Sequence, residues 1–270
     1  MHTPVPTTEV QQIAPETFLI PNLSPADDGL FVMVNSMVIR GAEPVIVDTG
    51  APVHHDSWME KVFSIVEPED VRWIFLSHDD GDHTGGLMRV LEMCPQATLI
   101  TNFFSVERLA LENKDVPFDR QRWLDPGESL HIGDRTLRLF KPPIYDGPTT
   151  RGVYDDSTAA MRAVDSFACF VPEGAYHFQD VPRDVVDELM PGMNSLISPW
   201  HAWLDADVYN RHVDTVESLG LLAVASAHGP ILTGDAIPEA FQIVRSLAGK
   251  DVIPGPGPEV LEQLVLATAA

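Results

Sequence analysis

Val71-Arg72-Trp73-Ile74-Phe75-Leu76-Ser77-His78-Asp79-Asp80-Gly81-Asp82-His83-Thr84-Gly85-Gly86 holds the pattern that settles the fold. Its first seven residues form the apolar run of a short buried strand. The run stops at a polar hexad, His78-x-Asp80-x-Asp82-His83, which puts four side chains able to bind a metal into six residues. Gly81 permits a sharp turn there, and Gly85-Gly86 opens the next element with little bulk. A loop at a strand end lets such ligands converge without burying unpaired charge. The bland alternative for the hexad is an acidic, solvated turn, so its weight depends on the rest of the chain.

Upstream, Thr17–Ile20, Leu30–Ile39 and Pro44–Asp48 read as strands, apolar and β-branched, parted by Pro, Asp and Gly clusters. Ser57–Val66 reads as a helix, with Ser57 as N-cap and Glu60 completing a capping box. Downstream, Gly86–Cys94 sets Leu87, Val90, Leu91 and Cys94 on one helical face. Strands are expected over Thr98–Thr101, Thr136–Phe140, Ala159–Val164 and Leu221–Ala227. Helices are expected over Val106–Glu112, Val185–Met190, Val208–Leu219 and Ile237–Ala248. Pro254-Gly255-Pro256-Gly257-Pro258 can be neither helix nor central strand. It reads as a linker (254–258) into a short C-terminal helix over Glu259–Ala267. No repeat and no composition break divides the chain, so one domain over residues 1–270 is expected. Strands alternating with helices give an α/β layered class with helices on both outer faces.

The charge excludes whole classes of partner. Against 40 Asp+Glu stand 17 Lys+Arg, a formal net charge of −23. Such a chain repels phosphate backbones and anionic bilayers, so neither nucleic acid nor a membrane is an expected partner. A hydrophobic content of 44% excludes global disorder. The apolar runs at Leu30–Val34 and Leu219–Ala225 fall far short of the roughly 20 residues a spanning helix needs. Met1–Pro6 has neither the basic nor the apolar region of a secretory signal. Cys94 and Cys169 are not spaced as a C-x-x-C pair, and read as buried thiols in a reducing compartment. The expected location is the cytoplasm.

Three single residues stand at the ends of other strand patterns. Asp48 closes Val45-Ile46-Val47 before Thr49-Gly50, Asp165 closes Ala163-Val164, and His228 closes Leu221–Ala227 before Gly229-Pro230. Alone, each has an ordinary explanation. An Asp before Thr-Gly usually makes a turn, and a lone His after a strand is usually structural. With the hexad, in this order, they stop being independent.

In this order the residues resemble the metallo-β-lactamase-fold superfamily, over roughly residues 15 to 235. The resemblance implies a four-layer αββα sandwich with a dinuclear metal site at one edge of its two sheets. The family pattern is an early Asp-Thr-Gly turn, then H-x-H-x-D-H, a later His, a bridging Asp and a final His. Asp48, His78, Asp82, His83, Asp165 and His228 match it. Two positions depart. Asp80 stands where most zinc members carry a second His. No His lies between His131 and Asp165, which leaves Asp146, in Pro142–Pro148, as candidate ligand, with a water ligand or a weaker site as the alternatives. A carboxylate at the second position is similar to the flavodiiron and oxygen-binding diiron branch, whose loop reads H-x-E-x-D-H. The His228-Gly229-Pro230 context is similar to that branch too. Added carboxylates favour harder ions such as iron or manganese. By resemblance, one metal takes His78, Asp80 and Asp146, the other takes Asp82, His83 and His228, Asp165 bridges, and Asp48 supports.

The resemblance therefore implies two iron ions, with manganese or zinc as alternatives. It also implies an oxidoreductase that binds dioxygen or nitric oxide and reduces or activates it. Flavodiiron enzymes add a flavodoxin domain. No flavin loop is recognisable here, so no flavin is expected in this chain, and electrons would come from a separate reductase or a bound organic substrate. Two other readings stay open. One is a hydrolase in which a metal-bridging hydroxide attacks a lactone, thioester or phosphate ester, which Asp80 disfavours by lowering Lewis acidity. The other is a non-catalytic oxygen or redox sensor. A homodimer is also left open. Tyr145, Arg151, Trp200 and His201 are candidate pocket residues, while His54, His55, His131, His177 and His212 read as surface or structural.

Overall fold

Successive residues of a strand face opposite ways, and here both faces are apolar. Val38, Ile46, Ile74 and Leu99 join the helix residues Trp58, Val62, Leu87, Val90 and Leu109 in one buried cluster. Their strand neighbours Met37, Ile39, Val45, Val47, Phe75 and Ile100 join Leu137, Leu139, Val153 and Ala225 of the second half in another. A third cluster gathers Met161, Ala163 and Val224 with Val186, Met190, Tyr209, Val213 and Phe241. Two sheets buried on both faces need four layers, in the order helix, sheet, sheet, helix.

The computed structural model, which describes residues 6–26 and 29–268, has that architecture. All but the last residue of Met1–Pro6 lies outside the described residues. The first sheet runs, in spatial order, through Gln11–Ala14, Thr17–Ile20, Ser36–Ile39, Val45–Val47, Trp73–Phe75, Thr98–Thr101 and Gln121–Trp123. From Val45–Val47 onward its pairs are parallel. Parallel pairing requires crossovers, and helices His55–Phe63, Leu87–Met93 and Phe103–Leu111 lie in these connections. The second sheet runs through Ser129–His131, Thr136–Phe140, Gly152–Asp155, Ala160–Val164, Ala223–Ser226 and Leu232–Thr233. Its one parallel pair, Ala160–Val164 with Ala223–Ser226, is bridged by helices Arg183–Ile197 and Ala206–Glu217. A small third sheet holds Leu23–Pro25, Leu30–Met33 and Val171–Pro172. No helix among the described residues is long and apolar enough to cross a membrane.

Several boundaries depart from the sequence expectation. Leu30–Ile39 is two strands in different sheets, because Asn35 between them is pulled onto the second sheet. Its N–H donates to the Ala227 carbonyl and its amide to the Ser226 and Gly229 carbonyls. Ser57 is not a cap. The helix begins at His55, running straight on from the turn Pro52–His54, and the Ser57 hydroxyl donates to the His54 carbonyl. The helix expected at Val106 starts at Phe103, capped by Asn102, whose side chain accepts from Ser105 N at 2.9 Å. The helix expected to stop at Met190 runs through Pro191 to Ile197. The strand Gly152–Asp155 was not expected, because its Asp155 is buried on Arg135 rather than exposed.

Candidate metal centre

Both parallel strand pairs end at the same edge of the sandwich, and the candidate residues follow those ends. Asp48 follows Val45–Val47, and His78 follows Trp73–Phe75. Asp165 follows Ala160–Val164, and His228 follows Ala223–Ser226. Open α/β sheets place ligands at such carboxyl ends.

Local backbone explains how the hexad is shaped. Asp80 is the N-cap of a one-turn helix, Gly81–Thr84, whose His83 and Thr84 N–H groups both donate to the Asp80 carbonyl at 3.0 Å. Asp79 points away, buried against Arg108 at 3.2 Å, and anchors the loop to helix Phe103–Leu111. The turn does not need Gly81: its φ is not positive, and a β-carbon added there would have nothing within 4 Å. Gly85 is the glycine the packing requires, since a β-carbon would stand 2.5 Å from Pro52 Cδ. Asp165 is aimed by a bulge: the register shifts between Arg162 and Val164, and Val164 sits at φ 55°. A β-branched residue in that region is strained, and bulges next to sites re-aim side chains. Asp48 is also left-handed, at φ 61°.

Three imidazoles converge on Asp165. Nε2 of His78 stands 3.4 Å from Asp165 Oδ2, and Nε2 of His83 and His228 stand 3.5 and 3.4 Å from Oδ1. Asp82 Oδ2 lies 3.5 Å from His83 Nε2 and 3.3 Å from His228 Nε2. Asp80 Oδ2 lies 3.6 Å from His78 Nε2. The ligand atoms fall into three groups, His78–Asp80–Asp146, Asp82–His83–His228 and His78–His83–Asp165, each within 4.8 Å. All seven sequence candidates are therefore brought together.

The other ring nitrogen of each imidazole already has a partner. His78 Nδ1 faces Ser77 Oγ at 3.2 Å, His83 Nδ1 faces Asp48 Oδ2 at 3.0 Å, and His228 Nδ1 faces the Met33 carbonyl at 2.9 Å. Metal-binding histidines are oriented in this way. His83 Nε2 and Asp165 Oδ1 are buried without a hydrogen-bond partner, an arrangement that is expensive unless something else completes it. Metal bonds of about 2.1 Å set ligand-to-ligand edges near 3.4 Å, the spacing seen here. The donor set, three imidazoles and four carboxylates, thus fits a pair of divalent ions.

Electrostatics agree. Burial opposes charge on Asp165, yet the surrounding histidines hold its carboxyl well below the usual range. Burial likewise opposes ionisation of Asp48, and His83 and Arg162 outweigh it. His83 is disfavoured as a cation by burial, but Asp48, Asp82 and Asp165 raise it well above an ordinary histidine. For His78 the same contest, burial and His83 against Asp165 and Asp80, ends in a smaller rise. Asp80 is lowered by its hydrogen bond to His78. The pocket wants positive charge.

The pocket candidates fare differently. Arg151 is not a pocket residue: it is fully buried, donates to the Leu76 and Leu124 carbonyls, and lies over the Phe75 ring. His201 is likewise buried, held by Ser195 Oγ and the Leu247 carbonyl, both at 2.8 Å. Tyr145 and Trp200 pack as a tilted pair, ring centroids 4.7 Å apart, and line a cavity of about 280 Å³ whose walls include none of the seven candidate ligands. Sequence reasoning missed Arg162, Ser77 and Asn35. The one available signal was Arg162 itself, a lone charge in the apolar run Ala160–Val164.

The family model described as ODP family beta lactamase matches residues 32–229. The type A flavoprotein fprA of Rhodobacter capsulatus is 25% identical over 201 residues, which are 73% of this chain and 45% of that protein. Among solved structures, rubredoxin oxygen:oxidoreductase of Desulfovibrio gigas matches with a TM-score of 0.76 at 15% identity, over 88% of this chain and 61% of that one. The flavodiiron protein of Giardia intestinalis matches with a TM-score of 0.73 at 18% identity, over 90% of this chain and 60% of that one. These structures share the fold. The chain spans about half the length, or less, of the curated relatives it matches.

Proposed function

The chain belongs to the ODP family of beta lactamases, and from that premise we propose that it is a diiron oxidoreductase acting on dioxygen or nitric oxide. The observation that carries this reading is the donor set: three imidazole Nε2 atoms around the buried Asp165, with Asp80 where a zinc enzyme would place imidazole. Oxygen-rich donors suit iron and manganese better than zinc. When bound, the iron pair supplies one-electron redox chemistry at two adjacent centres.

The chain's own residues then have distinct tasks. His78, Asp80 and Asp146 would hold one ion, Asp82, His83 and His228 would hold the other, and Asp165 lies beside both groups. The two half-sites differ in character. The first has one imidazole and two exposed carboxylates, the second two imidazoles and one carboxylate. The first is therefore the harder and more accessible side, where a small molecule enters. The Thr150 hydroxyl donates to Asp146 Oδ1 and orients it. Four carboxylates would neutralise two divalent ions, and would leave only two excess positive charges on the oxidised, trivalent pair. Electrons come from a separate reductase or from an organic substrate, and no flavin is assigned to this chain. The domain is taken as one unit that includes the Pro/Gly linker and the C-terminal helix.

The test is oxygen or nitric oxide uptake by iron-loaded protein given a chemical reductant, against the reductant alone. Turnover supports the oxidoreductase. Reversible binding without turnover makes the protein a sensor. Cleavage of a lactone or thioester without oxygen uptake makes it a hydrolase.

A further inference from the structure

Arg162 lies on Ala160–Val164 of the six-stranded sheet, and its side chain is fully buried. Its Nη2 donates to Asp48 Oδ2 at 2.8 Å and to the Asn35 carbonyl at 2.5 Å, and its Nη1 donates to the Ser226 carbonyl at 3.2 Å. Asp48 closes a strand of the other sheet, so this one guanidinium ties the two sheets together at the edge where the candidate ligands converge. A planar fork of several donors can make such a set of bonds, and a single ammonium cannot.

Asp48 passes the constraint on. It also accepts from Ser77 N at 2.8 Å and Ser77 Oγ at 2.9 Å, which fixes its carboxylate plane, and its Oδ2 faces His83 Nδ1 at 3.0 Å. On the opposite side, Arg162 and Asn35 both hold the Ser226 carbonyl, two residues before His228, and Asp165 follows Arg162 by three residues across the bulge. The ligands of the first sheet (His78 to His83) and those of the second (Asp165 and His228) thus share one clamp.

We infer that Arg162 is a positioning residue of the metal centre: through Asp48 it orients the His83 ring, and through Ser226 it sets where His228 stands relative to it. The inference rests on reading the centre as dinuclear. It carries a consequence that mere structural support would not. Arg162 reaches His83 through one intermediary, Asp48, and the His228 segment through the Ser226 carbonyl, whereas it reaches His78 only through Asp48 and then Ser77, and makes no hydrogen bond to Asp80 or Asp146. Its loss should weaken the ion of the His83–His228 half-site more than the other.

The experiment is anaerobic Co²⁺ titration of the full chain, followed by calorimetry and visible absorption, for wild type, Arg162→Met, Arg162→Lys and the double variant Arg162→Met/Asp48→Asn. Wild type takes two Co²⁺ per chain. Arg162→Met binds the ion of the His83–His228 half-site about 10–100-fold more weakly, the usual effect of removing a partner behind a ligand, and loses less at the other ion. Lys restores part of that loss, because it keeps the charge and not the fork. The double variant removes the buried charge together with its partner, so it regains thermal stability without regaining the lost affinity, and it carries the test if Arg162→Met does not fold. Equal weakening of both ions, full recovery by Lys, or full affinity in the double variant would each overturn the positioning role. Failure of wild type to bind two Co²⁺ would instead overturn the dinuclear reading itself.

Discussion

Replacing Gly85 by alanine probes how the metal loop is seated. Its backbone is helical, φ −60° and ψ −35°, so alanine itself fits there and gains up to about 1 kcal/mol over glycine. The space around it is the difficulty. A β-carbon would meet Pro52 Cδ at 2.5 Å, and Pro52 N and the Gly50 carbonyl oxygen at 2.6 Å. Gly85 N also donates to that carbonyl at 2.9 Å, so the two segments cannot part without losing a buried hydrogen bond. Overpacking costs about 1–3 kcal/mol, and backbone and ring atoms that cannot swing aside put this site at the upper end. After the alanine gain, the net loss is about 2 kcal/mol, or roughly 4–8 °C of melting temperature for a chain of this size. The displaced segment carries Thr49, whose N–H donates to the His83 carbonyl at 2.7 Å, so metal affinity should fall as well. Gly81→Ala is the matched control. It lies four residues away in the same loop with nothing within 4 Å, and should change stability by less than about 0.5 kcal/mol. Thermal unfolding of both variants, without and with Co²⁺, reads the difference. A Gly85→Ala protein as stable as Gly81→Ala would refute the packing argument.

Other outcomes follow from single residues. Burial pushes the Cys94 thiol up to about 11 and the Cys169 thiol up to about 12, so neither should react with a thiol reagent at neutral pH until the chain unfolds, and then both should. An unfolded thiol ionises near 8.5. The stabilisation from keeping both protonated is therefore complete below that pH and is lost as pH rises toward 11 and 12, so denaturant midpoints should fall above about pH 9, and replacing both by alanine should flatten that slope. Asp80→His adds an imidazole to the harder half-site and should raise the zinc-to-iron ratio of protein grown with both metals. An unchanged ratio would show that Asp80 does not set metal preference. Asp146→Ala should lower bound metal from two ions to about one, read by elemental analysis after dialysis.

What could be read from the sequence was whatever sits at a strand end. The hexad and the residues Asp48, Asp165 and His228 each follow an apolar run, and a run that stops is visible without coordinates. What could not be read was which way a side chain turns afterwards. Arg151, between threonines and a glycine, looks like a loop cation, yet it runs inward to the Leu76 and Leu124 carbonyls. His201 looks like a rim residue but closes a buried pair of hydrogen bonds. Gly81 and Gly85 look interchangeable, and only Gly85 is pressed against another segment. For Arg162 the converse held: the lone charge in Ala160–Val164 marks the residue, but its partners Asp48, Asn35 and Ser226 lie 114, 127 and 64 residues away in sequence, so no local pattern could disclose the clamp.

The central claim is that these seven side chains hold two iron ions. It is tested most directly by metal analysis with Mössbauer spectroscopy on protein expressed in iron-supplemented medium and reconstituted anaerobically. Two irons per chain, with spectra of an exchange-coupled pair after oxidation, are the result expected. Two zinc ions per chain with no iron retained would contradict it.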